Sequence, residues 1–292
     1  MKKVLLSLLV VGAFACKEVK KDVAKTEGTE KEPVAPEVKL YAFDGGTVNA
    51  NMLELFSQDT TYTGQSKEFA DAFYVVVHPK GTLMWDAGLP ESLVAMDEPF
   101  TSPEGAFTVS RKDSVVNQLA TIGMTPEDID YLALSHTHFD HVGHANAFTK
   151  STWLVQEKEY DFVTSEENQK NNPDIYDAIK DLTNIKKIPN TDYDVFGDGT
   201  VVIKFMPGHT PGHQVLYVDL PEHGPLLLSG DMYHFYENRE FRRVPIFNFD
   251  VAQTKESMEA FEKFAEEKGA QVYLQHSKQD FEKLPKAPNY LK

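Results

Sequence analysis

Between residues 38 and 276 the chain alternates apolar runs of strand length with polar, turn-rich segments. The runs VKLYAF (38–43), AFYVVVH (72–78), GTLMWD (81–86), DYLALS (130–135), STWLVQ (151–156), TVVIKFMP (200–207), HQVLYVDL (213–220), GPLLLSGD (224–231) and AQVYLQH (270–276) are read as strands. Several are apolar almost throughout, which predicts strands buried on both faces. PKG (79–81) between two of them predicts a tight hairpin. Apolar positions three and four apart predict helices over 114–123, 173–183 and 252–269. In the last, Met258, Phe261 and Phe264 share one face and Gly269 stops the helix. Strands and helices mixed with hairpins predict an α/β sandwich rather than a purely alternating parallel sheet.

The N-terminus follows a different pattern. MKK is a basic start, and VLLSLLVVGAFA is an apolar run too short to span a bilayer as a mature helix. Ala13 and Ala15 are small residues just before Cys16, the single cysteine of the chain. The segment reads as a signal peptide over residues 1–15. A lone cysteine at that point resembles the lipobox of bacterial lipoproteins, where it is lipidated; the alternative is an ordinary secretory signal with an incidental thiol. Residues 16–37 carry Lys, Glu, Ala, Val, Thr and Pro and no aromatic residue, so they bury no core and read as a flexible tether. The expectation is an exported protein, periplasmic or surface-anchored, touching membrane only through an N-terminal lipid.

From residue 38 to 292 there is no second linker and no repeat, which predicts one continuous domain. With 41% hydrophobic and 11% aromatic residues the 292-residue chain has material for a sizeable core. Its net charge of −16 argues against nucleic-acid binding, which needs clustered Lys and Arg to neutralise phosphate. A homodimer is left open.

The chemistry concentrates in SHTHFDHVGH (135–144), which holds four of the ten histidines. His136 and His138 follow a strand two residues apart, so extended backbone aims both imidazoles to one side. Asp140 and His141 come where the chain is expected to turn into a helix, facing a second ion. One ion takes about four ligands, so this segment requires partners at other strand ends. PGHTPGH offers His209, SGD offers Asp231 and YLQH offers His276. The set becomes His136, His138 and His209 for one metal, Asp140, His141 and His276 for the other, and Asp231 bridging. His144 and His213 either orient ligands or play capping roles; His78 and His223 read as structural. Arg239, Arg242 and Arg243 either pair with acidic surface groups or bind an anion.

HTHFDH, GHTPGH, the GD pair and the late histidine resemble the metallo-β-lactamase-fold hydrolases, and their separations resemble the N-acyl homoserine lactonase branch in particular. Over residues 38–290 the resemblance implies an αβ/βα four-layer sandwich with a dimetal edge, most simply a dizinc one. It implies that Asp86 hydrogen-bonds a ligand imidazole. It implies a small-molecule acyl lactone as substrate, with thioesters, β-lactams and aryl esters as rivals on the same site and a non-enzymatic metal-binding lipoprotein as the rival outside enzymes. Two ions sharing a water bring its pKa near neutrality, for attack on an ester-type carbonyl. Asp140 is then placed to pass the proton to the leaving alkoxide. One position departs from the branch. Its usual Tyr three residues after the bridging Asp is here His234, between Tyr233 and Phe235, and the expectation gives the oxyanion donor to Tyr233 before His234. The aromatic-rich segments 51–62 and 233–249 either line an acyl pocket or belong to the core.

Overall fold

The structure, a computed structural model, describes residues 37–292. The signal peptide expected over 1–15, Cys16 and all but the last residue of the expected tether (16–37) lie outside the described residues.

Two sheets carry the fold. The first contains β1 (Lys39–Ala50), β2 (Lys67–His78), β3 (Gly81–Trp85), β4 (Phe100–Thr101), β5 (Phe107–Ser110), β6 (Tyr131–Ala133), β7 (Thr152–Gln156) and β8 (Ile185–Ile188), in the order β4-β5-β1-β2-β3-β6-β7-β8. The second contains β9 (Tyr193–Asp194), β10 (Val201–Phe205), β11 (Gln214–Leu220), β12 (Gly224–Leu228) and β13 (Gln271–Tyr273), in the order β13-β12-β11-β10-β9. The hairpin at PKG closes with His78 opposite Gly81. β3, β6, β7 and β8 run parallel, as do β12 and β13.

The nearly unbroken apolar runs are explained by where alternate side chains go. In β2, Ala72, Tyr74 and Val76 face the second sheet, meeting Ile203 of β10, Leu216 and Val218 of β11 and Leu228 of β12. Phe73 and Val75, between them, face the helices α1 (Val115–Ala120), α2 (Glu157–Val163) and α4 (Pro173–Ile179), with α3 (Glu166–Asn171) alongside. The second sheet repeats this: Val215 and Tyr217 of β11 and Leu227 of β12 turn outward onto Met258, Phe261 and Ala265 of α6 (Val251–Lys268). Period-two alternation thus feeds two apolar layers at once, giving helix, sheet, sheet, helix. Asp250 caps the N-terminus of α6 through the Gln253 N–H, and Gly269 ends it in the left-handed conformation.

The structure corrects some expectations. The helix expected after HTHFDH does not form. Its backbone pairs instead with the turn leaving β3, where Ala87 N–H donates to His141 O and Gly143 N–H donates to Gly88 O, and only Ala145–Ala147 coils, as one 3-10 turn. β1 continues through Gly45 and Gly46 to Ala50, because β2 pairs along its whole length across a bulge at Asp44/Gly46. β4, β5, β8 and β9 and the helices α2, α3, α5 (Tyr236–Phe241) and α7 (Lys278–Lys283) were absent from the sequence pattern, being short or too polar to show a period.

The turn after β3 carries Asp86 and depends on close backbone packing. Gly88 (φ 69°) sits against Gly45, and a Cβ on Gly88 would lie 2.7 Å from the Gly45 Cα. Gly88→Ala combines left-handed strain with a backbone clash, so urea unfolding is expected to show a loss of about 2 kcal/mol or more. An unchanged unfolding midpoint would show that the turn and the β1 bulge yield there.

Candidate metal centre

His136, Asp231 and His276 lie just beyond the C-terminal ends of β6, β12 and β13, and His209 lies in the loop from β10 to β11. The sandwich brings these four ends to one edge. His136, His138, His209 and Asp231 form one group with ligand atoms within 4.8 Å of one another, and Asp140, His141 and His276 form a second. These are the two groups read from the sequence. Asp231 stands between them. Its Oδ1 lies 2.9 Å from His276 Nε2 and 3.3 Å from His141 Nε2, while its Oδ2 lies 3.3 Å from His209 Nε2 and 3.5 Å from His136 Nε2.

The outer nitrogens of the rings are committed elsewhere, which fixes what the inner ones can do. His276 Nδ1–H donates to Ala70 O at 3.0 Å, and His209 Nδ1–H donates to Asn248 Oδ1 at 3.0 Å. His141 Nδ1–H donates to Asp86 Oδ2 at 3.1 Å, as the resemblance implied. Asp86 is itself held by the Ser135 N–H and the Gln275 amide. The Nε2 atoms of these three rings therefore present lone pairs inward. His213 is fixed too: Nδ1–H donates to Met206 O at 2.9 Å, and Nε2 accepts the Asp231 N–H at 3.0 Å, so it steadies the bridging residue through its backbone.

The donor set fits divalent cations. His136 Nε2 and His209 Nε2 converge on His138 Nδ1 at 2.9 and 3.1 Å, so three imidazole nitrogens meet at the floor of a cavity. His141 Nε2, His276 Nε2 and Asp231 Oδ1 are buried without a hydrogen-bond donor. A cation in each group satisfies these orphans together, as protons on single rings do not. The electrostatics agree. Burial pushes His136 and His138 well below the ordinary imidazole range, and takes His213 down to about 3. Burial works against charge on His141 and His276 as well, but Asp231 outweighs it, aided by Asp86 at His141, and lifts His276 to about 9. Burial also works against charge on Asp231, yet His276, His141 and their neighbours hold its carboxyl well below the usual range. The centre is built for positive charge.

A cavity of about 330 Å³ opens onto the two groups. Its metal end shows His138, Asp140, Asp231, His234 and His276, and its walls are Val48, Leu55, Phe56, Phe69, Ala106, Phe107, Phe139, Ile246 and Phe247, with Glu104 as the one charged wall residue. Both aromatic-rich segments contribute, and Phe69, Phe107 and Phe139 come from elements that the sequence pattern did not connect with them. Tyr233 is corrected: its ring packs edge-on against Phe261 of α6, its phenol faces Glu262, and it is absent from the cavity wall. His234 takes the wall position, with Nε2 3.1 Å from Asp231 Oδ2. The reason is local geometry, since Tyr233 and His234 are adjacent in extended chain and point to opposite sides. His144 pairs with Glu91 away from both groups, and His78 and His223 engage Asp198 and Tyr273. Arg239 and Arg242 pair with Glu262 and Glu259 of α6, and Arg243 donates to Tyr62, so this basic group is used internally. Asn248 and Gln275 had no signal in the sequence, because each acts through hydrogen bonds to residues far away in the chain.

Comparison with known proteins agrees with this geometry. The model of the metallo-beta-lactamase superfamily matches residues 68–276, ending on the last histidine of the centre. An N-acyl homoserine lactonase from a Bacillus species is 33% identical over 222 residues, covering 73% of this chain and 82% of its own. The N-acyl homoserine lactonase AttM of Azorhizobium caulinodans is 29% identical over 274 residues, covering 87% and 98%. A solved N-acyl homoserine lactone hydrolase, with the product N-hexanoyl-L-homoserine at its catalytic metal centre, aligns with a TM-score of 0.73 at 27% identity, covering 87% and 98%. The chain belongs to the metallo-beta-lactamase superfamily, in its N-acyl homoserine lactonase branch.

Proposed function

We propose that the protein is a metal-dependent hydrolase that opens the ring of N-acyl homoserine lactones and so quenches quorum signals. The observation that carries this reading is the join of a seven-residue His/Asp centre to an apolar cavity, one end suited to an ester carbonyl and the other to an acyl chain. The relatives named for this activity support it. His136, His138 and His209 would hold one ion and Asp140, His141 and His276 the other, with Asp231 placed between them; three imidazoles with a carboxylate favour zinc. Bound there, the two ions supply a nucleophilic water at neutral pH and polarise a carbonyl.

The chain's own residues then have defined tasks. Phe56, Phe107 and Phe247 bury the acyl chain and exclude water from the reacting end. His234, in the cavity wall, turns its Nε2–H to Asp231 Oδ2 at 3.1 Å; with that oxygen taken by a cation, the same N–H would be free for the oxyanion, the task the sequence had given first to Tyr233. Asp140, part-exposed at the cavity floor, takes the proton of the attacking water and returns it to the ring oxygen as the carbonyl carbon–oxygen bond breaks. The new bond joins water oxygen to the carbonyl carbon, and the product is an acyl homoserine. We also propose, on the N-terminal sequence alone, that the protein is exported and anchored through a lipid on Cys16.

Three measurements test these readings. A panel of homoserine lactones run beside nitrocefin and an S-acyl glutathione should show turnover of the lactones, lost on chelation and in His136→Ala/His138→Ala. Lactone turnover equal to that double variant, with thioester or β-lactam turnover intact, would transfer the site to the rival substrate. His234→Ala should lower kcat by about 10²–10³-fold, as removal of an oxyanion donor does, with Tyr233→Phe near wild type; the reverse ranking would restore the phenol. Full-length protein should partition into detergent with its membrane fraction, and Cys16→Ser should release it to the aqueous phase; equal partition of both would leave Cys16 an incidental thiol.

A further inference from the structure

Glu159, in α2, is buried at 2% exposure and lies outside the cavity wall. Its Oε1 accepts the Thr137 N–H at 2.8 Å and the Thr137 hydroxyl at 2.7 Å, and its Oε2 accepts the Gly212 N–H at 2.9 Å. Thr137 separates His136 from His138. Gly212 lies in the loop that carries His209. One carboxylate therefore ties a loop of the first sheet to a loop of the second, and the three imidazoles of the first group hang from those two loops. The approach requires glycine at 212, where a Cβ would lie 2.4 Å from the Glu159 Cβ and 2.5 Å from its backbone nitrogen. Three donors on two oxygens suit an ionised carboxylate, whose hydrogen bonds are short and strong. Gln214 adds a second tie, its N–H and side-chain amide donating to Ser135 O and Leu134 O, so the loops stay joined if Glu159 is altered.

We propose that Glu159 is a positioning residue of the metal centre: its buried carboxylate sets the spacing of His136 and His138 against His209, and through it the grip and geometry of the ion held by the first group. The proposal rests on reading that group as a metal site. Groups that orient metal ligands from behind commonly change affinity by about 10–100-fold when altered.

The test compares holoenzymes. Glu159→Gln keeps the shape and an acceptor for Thr137 but turns an NH₂ toward the Gly212 N–H. Release of one of the two ions to a chromogenic chelator is expected to be about 10–100-fold faster, with the other ion released at the wild-type rate. The visible bands of the cobalt-substituted protein should shift, and kcat should fall with KM nearly unchanged. Thr137→Val, which removes only the hydroxyl bond, should show the same change more weakly, and it carries the measurement if Glu159→Gln does not fold. Leu216→Ala, in the core between the sheets, serves as the stability control. A Glu159→Gln protein that loses thermal stability as Leu216→Ala does, while keeping wild-type ion release and cobalt bands, would overturn the proposal and leave Glu159 a fold residue. Wild-type release and bands in Thr137→Val would overturn it equally if that variant stands alone. Ion release and cobalt spectra use no lactone, so failure of the lactonase reading would be seen separately.

Discussion

Five imidazoles surround one buried carboxylate. His136, His141, His209, His234 and His276 all place Nε2 within 3.5 Å of an oxygen of Asp231. A carboxylate in a dry interior is costly unless its charge is met, and neutral rings packed lone pair to lone pair are costly without a cation. Both costs fall on the same few cubic ångströms. The sandwich meets them by fixing Asp231 through the His213 ring and by committing the outer nitrogens of His276, His141 and His209 to a backbone carbonyl, a carboxylate and a side-chain amide oxygen. The fold around the edge is largely a scaffold that keeps mutually repelling groups facing one another.

What could be read from the sequence follows from this. A strand buried on both faces needs apolar residues at every position, so β2, β11 and β12 announced themselves as runs. Metal ligands must come from a small set of residue types at strand ends, and the residues picked on that ground, from HTHFDH, His209, Asp231 and His276, come together in two groups. Elements held by single long-range contacts had no such mark. IKKI of β8 is half lysine and owes its place to pairing with β7, and α3 (EENQKN) has almost no apolar side. The helix expected at DHVGH failed because its backbone donors and acceptors were claimed by the turn at Ala87 and Gly88, a competition invisible in local propensity.

The Tyr233 expectation failed for an equally physical reason. Choosing between two adjacent residues requires knowing which face of the chain points inward, and a one-residue shift exchanges them. Asp231 lies within a single 3-10 turn, Gly230–Met232, and the chain leaves that turn extended, which sends Tyr233 onto α6 and His234 into the cavity beneath Phe56. Residue type favoured the phenol; backbone direction put the imidazole on the cavity wall.

The segment 244–250 links the wall to the centre. Phe247 faces the cavity, while the next residue, Asn248, holds His209, and the Phe249 and Asp250 N–H groups donate to His209 O and Gly208 O. Leu55 O and Gln58 fasten the other end of the segment. Mutational drift is therefore unequally free around the cavity. Exchanges at Phe107 or Val48 reshape the space from strands that carry none of the clustered His and Asp residues, whereas an exchange at Phe247 displaces a neighbour on which His209 leans. A lineage adapting to longer or bulkier acyl chains has its open route on the β1–β5 side, and the opposite wall is tied to the chemistry.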